Sequence, residues 1–476
     1  MKTSFLIKLS AAALIYAGCS ALSANADDLD QTLLKQGQEV ATASDCQACH
    51  TEPGSKTAFS GGYAIASPMG AIYSTNITPD VMTGIGHYTE QQFSDAVRHG
   101  IRADGAQLYP AMPYTSYHMM TDSDLHALYY YFMHGVKPVH RVNTQTDLAF
   151  PFNLRFSMKF WNMLYANTKD YQIDSSKSAE WNRGNYLVNG LEHCDTCHTP
   201  RGFMMNEDTD HPLAGAPLGS WYAPNITSDK VSGIGGWSDD EIVQYLKTGR
   251  TAGKNQAAGG MAEAVEHSLQ YLPDSDLHAI ATYLKQTTPI RTEGETQPSY
   301  SYGSSATDVD DTVRGMAPNN ARDSLKSGAA LFSGSCASCH QPDGAGSKNQ
   351  AYPSLFNNTA TGMIHPQNLI ATILYGVQRN TADHQVLMPG FGSSSSYVDH
   401  LNDQQIADIS NYVLHNFGNP NVTVQAGDVA WVRKGGHPPA LVAMQPYMIP
   451  AIVVGVIIVL LLVIGFCLYR SRRRKG

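Results

Sequence analysis

The stretch SDCQACHTEPG, residues 44–54, holds Cys46 and Cys49 with two residues between them and His50 directly after the second thiol. Two chemistries use that grouping: a zinc site, which needs further soft ligands close by, and covalent attachment of a c-type haem. In the second, both thiols add to the porphyrin vinyl groups as thioethers, and the adjacent imidazole comes under the iron as proximal ligand. The pattern recurs at Cys194, Cys197 and His198, and again at Cys336, Cys339 and His340. These six thiols account for all but two of the eight cysteines, and the remaining pair, Cys19 and Cys467, lie in apolar stretches at the two ends. No thiol is left mid-chain to complete a zinc site, and disulfides do not explain a histidine after every pair. The motifs therefore read as attachment sites for three covalently bound haem c groups.

Spacing between the motifs is nearly even, 148 residues from Cys46 to Cys194 and 142 from Cys194 to Cys336, which is duplication at domain scale. The first two units share Asn76-Ile77-Thr78 with Asn225-Ile226-Thr227, Gly84-Ile85-Gly86 with Gly233-Ile234-Gly235, and Asp122–Ala127 with Asp274–Ala279. The third keeps only a skeleton common to all: a glycine twelve residues before a methionine, as Gly100 and Met112, Gly249 and Met261, Gly376 and Met388. That recurrence assigns Met112, Met261 and Met388 as sixth ligands. Met-Pro at Met112-Pro113 and Met388-Pro389 suggests a loop of fixed backbone; Met261 is followed by Ala262, and His267 is the alternative ligand there.

Before each glycine, an apolar pair at i, i+4 predicts a short helix: Phe93 and Val97, Ile242 and Leu246, Leu369 and Ile373. Thr89 with Gln92 and Ser238 with Glu241 have the form of capping boxes, and Pro366 suits the first helical position of the third. A further helix follows each methionine, and a helix containing Gly37, Gly184 or Gly328 precedes each haem motif. Such a glycine would let the first helix approach the last closely; serving only as a helix end is the alternative.

The first 26 residues carry Lys2 and Lys8, an apolar run and Ala24-Asn25-Ala26, the form of a cleaved signal peptide; Ala17-Gly18-Cys19 partly fits a lipidation site instead. Met448–Tyr469 is uncharged and of the ~20 residues that span a bilayer, and the basic tail after it stays on the cytoplasmic side. The exported remainder then faces the periplasm with 25 basic against 41 acidic residues, a charge of −16. Nucleic acid does not suit that surface, whereas a partner with a basic docking patch does.

The whole reads as an all-α fold of three tandem class I cytochrome c domains plus one C-terminal transmembrane helix. The expected boundaries are 1–26 signal peptide, 27–149, 176–295 and 321–418 for the three domains, 150–175, 296–320 and 419–447 for linkers, 448–469 for the span and 470–476 for the tail. Phe150–Ala166 is too aromatic for an exposed linker and should pack on the first or second domain, where Arg155 is a surface group or a propionate partner. His126 and His278 read as solvated groups on the last helices. No phosphate-binding glycine loop, metalloprotease histidine pair or nucleophile elbow appears. With both axial positions filled by histidine and methionine, no place is left for substrate, so the site suits electron transfer.

Over nearly all the mature length, the sequence resembles the three-haem cytochrome c subunits of bacterial membrane-bound dehydrogenases. The likeness is carried by the three Cys-x-x-Cys-His motifs, STNITPDVMTGIGHYT from Ser74, LYPAMPYTSY from Leu108 and MTDSDLHALYYYFM from Met120. The resemblance implies His50 with Met112, His198 with Met261 and His340 with Met388 as axial pairs. It also implies a separate catalytic subunit, flavin-dependent for gluconate, sorbitol or fructose or quinoprotein for alcohols, a small chaperone-like subunit, and delivery of electrons to ubiquinone. The true C-terminal span fits the flavin-dependent type better. Two rivals from other classes are a self-standing di-haem peroxidase, which needs an open iron, and the electron-entry subunit of a terminal oxidase.

Overall fold

The computed structural model describes residues 29–67, 69–166, 170–306, 325–396 and 399–473; the expected signal peptide with Cys19, part of the second linker and the end of the basic tail lie outside them. Around each cysteine motif the same order of helices recurs. The helix over residues 29–43 contains Gly37, Ala179–Tyr186 contains Gly184, and Gly328–Ser335 opens on Gly328. Each crosses a last helix, respectively Asp122–Tyr130, Asp274–Leu284 and Asp403–Phe417. A Cβ on Gly37 would overlap the Ala127 carbonyl, one on Gly184 the Ala279 carbonyl and one on Gly328 the Asp408 carbonyl. Glycine in a helix costs about 0.5–1 kcal/mol in backbone entropy, so its use three times reflects a crossing where backbone meets backbone. The shared Asp-Ser-Asp-Leu-His-Ala stretch ends on the two alanines that receive this contact, both at most 1 % exposed.

The intermediate helices Glu90–His99, Asp239–Thr248 and Gln367–Tyr375 each end at the expected glycine, with φ of 64°, 72° and 75° at Gly100, Gly249 and Gly376. Only glycine adopts this left-handed conformation without strain. Both predicted capping boxes are present: Thr89 Oγ1 accepts from the Gln92 N–H while Gln92 reaches back, and Ser238 with Glu241 does the same. Pro366 stands one residue before its helix, not inside it.

The chain departs from a purely helical expectation by adding short antiparallel pairs. Ala64–Ser67 pairs with Gly70–Tyr73, which also takes Asp147–Leu148; Ala216–Leu218 pairs with Trp221–Ala223, Arg250–Thr251 with Asn255–Gln256, and Val377–Asn380 with Gln385–Met388. Strands of two to four residues are too short for an alternating pattern to register in sequence.

Burial also divides the chain differently from its repeats. One continuous apolar cluster runs from Val40 to Leu284 and so joins the first two repeats, whereas Leu325 to Val432 forms a second. The stretch read as the linker 419–447 contributes to the latter through Ala426–Arg433, whose Val429 and Val432 are buried and whose Arg433 pairs with Asp403 at 2.8 Å. Beyond it, Gln445–Leu468 is a 24-residue apolar stretch that is not buried against the rest of the chain, long enough for a ~30 Å hydrocarbon core at 1.5 Å per residue.

Candidate haem sites

Each motif folds as a short helix, Cys46–His50, Cys194–His198 and Ala337–His340, placed soon after the glycine-bearing helix, in the second site beyond the π-helical turn Leu187–Leu191. Asp45 and His193, just before the first two, take left-handed φ values of 48° and 38° and turn the chain into the motif. The histidines then share one geometry. His50 Nδ1 lies 2.7 Å from the Thr75 carbonyl, His198 Nδ1 2.6 Å from that of Pro224, and His340 Nδ1 2.9 Å from that of Pro353. A carbonyl only accepts, so Nδ1 carries the proton and Nε2 keeps its lone pair for a metal. Burial lowers the pKa of all three imidazoles against the opposing effect of that hydrogen bond, which favours the neutral ligand form.

The repeated Asn-Ile-Thr has a structural role that its short-range pattern does not reveal. Asn76 Oδ1 accepts from the Thr78 N–H at 3.0 Å and the Thr78 hydroxyl at 2.8 Å, and its Nδ2 donates to the Val139 carbonyl at 2.7 Å. Asn225 repeats this with Thr227 and the Ile290 carbonyl at 2.7 Å. The asparagine thus braces the very loop whose preceding carbonyl orients the histidine, tying it to chain beyond the last helix. Gly84 and Gly233 complete the brace: a Cβ at either would overlap the carbonyl of Thr78 or Thr227. The third site omits the hairpin and reaches its acceptor carbonyl 13 residues after the histidine, against 25 and 26 in the others.

On the methionine side, equal spacing comes from two backbone routes. After Gly100 and Gly249 a tight hairpin closes, with Leu108 N–H donating to the Gly100 carbonyl at 2.7 Å and Ala257 N–H to that of Gly249 at 2.8 Å; Met112 and Met261 follow four residues later. After Gly376 the hairpin is longer, and Met388 itself ends its second strand, paired with Val377. Met112 precedes Pro113 and the turn Tyr114–Tyr117, whereas Met261 is the second residue of the helix Gly260–His267, which His267 ends. Met112 and Met261 are half-buried against the cluster that also receives Cys46 and Cys194, and Met388 against the cluster that receives Cys336. Ser335 and Pro389, neighbours of Cys336 and Met388, line one cavity of about 460 Å³.

The donor set fits a haem better than zinc. Burial pushes the Cys46, Cys49 and Cys336 thiols up to about 12. Among the described residues no group of three or more His, Cys, Asp or Glu side chains is placed to hold a metal ion.

The first two sites adjoin. Ser116 Oγ donates to Asp195 Oδ1 at 3.1 Å and Tyr186 Oη donates to Asp124 Oδ2 at 2.7 Å, both from one unit to the other. Within the second, Ser268 Oγ donates to Glu192 Oε1 at 2.8 Å, whose carboxyl burial pushes up to about 8. Arg379, 1 % exposed, joins third to second by donating to the Ala257 carbonyl at 2.5 Å. His126 stays half-exposed beside Glu90 at 2.9 Å, as a surface group.

Residues 325–416 match the cytochrome c family. Over 446 residues the chain is 49 % identical to the fructose dehydrogenase cytochrome subunit of Gluconobacter japonicus, covering 93 % of this chain and 91 % of that one. It is 41 % identical to the cytochrome c subunit of the quinone alcohol dehydrogenase of Gluconacetobacter polyoxogenes, covering 91 % and 90 %, and 40 % identical to the gluconate 2-dehydrogenase cytochrome c subunit of Pantoea cypripedii, covering 88 % and 93 %.

Proposed function

We propose, since this chain belongs to the cytochrome c subunits of bacterial dehydrogenases, that it carries three covalently bound haem c groups and conducts electrons from a catalytic dehydrogenase subunit to ubiquinone in the membrane. The observation that carries this reading is the threefold histidine geometry, in which a backbone carbonyl holds each Nδ1–H and leaves Nε2 for iron. Bound haem supplies one-electron redox chemistry. The residues do the rest. Cys46 and Cys49, Cys194 and Cys197, Cys336 and Cys339 would form the thioethers; His50, His198 and His340 would hold the iron through Nε2; Met112, Met261 and Met388 would supply the further sulfur ligand and exclude substrate. A neutral sulfur there favours the reduced state and raises the potential relative to two imidazoles.

Three units, over 27–149, 176–295 and 321–418, then stand in the periplasm on an anchor at 448–469, with the basic tail inside. The donor is a sugar-acid, polyol or alcohol dehydrogenase subunit, and a small chaperone-like subunit accompanies the assembly. Reconstitution in ubiquinone-containing liposomes tests this, with catalytic subunit alone, this chain alone, and both. Quinone reduction is expected only from the pair. Reduction by this chain alone with an alcohol or sugar acid would refute the conduit role, and a pair that reduced soluble dye but never quinone would refute the exit to the membrane.

A further inference from the structure

The stretch Phe150–Ala166 has two unlike faces. Inward, Trp161 is 7 % exposed and its Nε1 donates to the Met204 carbonyl at 2.9 Å, while Asn162 accepts from Tyr114 Oη at 2.7 Å. That face fastens the helix Ser157–Tyr165 across both of the first two repeats. Outward, Phe156, Phe160, Met163 and Leu164 are 66 %, 60 %, 75 % and 67 % exposed. Their spacing of i, i+4, i+7 and i+8 makes one stripe along the helix. Scattered exposed apolar residues are ordinary, but a contiguous stripe marks an interaction surface.

The stretch that carries the stripe also meets the root of the C-terminal helix. Gln445 Nε2 donates to the Phe150 carbonyl at 2.9 Å, and Gln445 is the first residue of the apolar stretch Gln445–Leu468. Phe156 follows Phe150 by six residues, which keeps it within about 20 Å of that contact even if the chain were extended. Span and stripe therefore begin within about 20 Å of each other.

We propose that the helix Ser157–Tyr165 lies in the membrane interface, with Phe156, Phe160, Met163 and Leu164 among the acyl chains beside the span, so that the bilayer holds the body at two points. This rests on the reading that Gln445–Leu468 crosses the membrane. The attraction is apolar, because an exported part of charge −16 is repelled by anionic lipid; Lys159, exposed on the same helix, extends toward the headgroups. A helix of nine residues is short for independent binding, but the span keeps it at high effective concentration beside the surface. The consequence is orientation. The face formed by the first two repeats rests near the bilayer, although the third repeat is nearer the span in sequence.

The test uses the full-length, haem-loaded chain in vesicles of phosphatidylethanolamine and phosphatidylglycerol containing a trace of phospholipid with a diazirine in its acyl chain. After irradiation, adducts are mapped by mass spectrometry. Adducts are expected on 156–164 as well as on 445–468, and equally at high salt. F160D/L164D should lower those on 156–164 by at least about tenfold, with the haem spectrum and the labelling of 445–468 unchanged. Adducts confined to 445–468 would overturn the interface helix and leave the anchor standing; adducts on neither would overturn both. Labelling of 156–164 that disappears when the chain is assembled with its catalytic subunit would also overturn the proposal, because the stripe would then belong to that partner.

Discussion

The histidine side and the methionine side of the three sites are built on opposite plans. The histidine side repeats itself: a glycine-bearing helix, a short motif helix, and Nδ1 within 2.6–2.9 Å of a carbonyl each time. The methionine side offers three settings, a loop before Pro113, the second residue of a helix and the end of a strand. The difference follows from what each side must do. On the proposed reading, two thioethers and one imidazole would fix position, tilt and tautomer together, so little backbone variation would be tolerated. A long, flexible thioether needs only to bring its sulfur to one point, and many backbones do that.

The largest effect should come from removing the invariant side. With Cys336→Ala and Cys339→Ala, intact-mass measurement should find one haem fewer than in the parent protein; an unchanged count would break the equivalence of the three motifs. Next come Met112→Ala and Met388→Ala, each expected to abolish its share of the weak methionine-to-iron charge-transfer band and to lower one potential by about 0.1 V, a fraction of the roughly 0.8 V that axial ligands command. A full band in either variant would remove that residue from the assignment. Met261→Ala against His267→Ala sharpens the comparison at its most divergent point: only the former should alter the band, and the reverse outcome would transfer the second site to histidine. Asn225→Ala leaves Thr227 and the Ile290 carbonyl without their partner and should cost about 1–3 kcal/mol in denaturant unfolding, while the methionine band persists. Smallest is Ser238→Ala, where losing the cap of the helix leading to Gly249 should cost about 1 kcal/mol and leave every haem signal in place.

Much of this was legible because it is local. Helix ends at Gly100, Gly249 and Gly376, the capping boxes of Thr89 and Ser238, and the apolar run near the C-terminus all follow from neighbours within a few residues. The hairpins escaped because strands of two to four residues are too short to show a period, and the part of Asn76 and Asn225 escaped because their partners, Val139 and Ile290, lie more than sixty residues away. Equal spacing from glycine to methionine was visible, yet it concealed that the third site reaches it through a different hairpin register.

By itself the sequence determined the three Cys-x-x-Cys-His motifs, their candidate methionines and the helices between them, since thioether attachment, helix capping and left-handed glycine are properties of short stretches. Only the tertiary structure decided which carbonyl orients each histidine, that the first two repeats share one buried cluster while the third keeps its own, and that Phe150 meets the root of the C-terminal helix. Those depend on contacts between residues distant in sequence, which form only when apolar surfaces choose one packing among many.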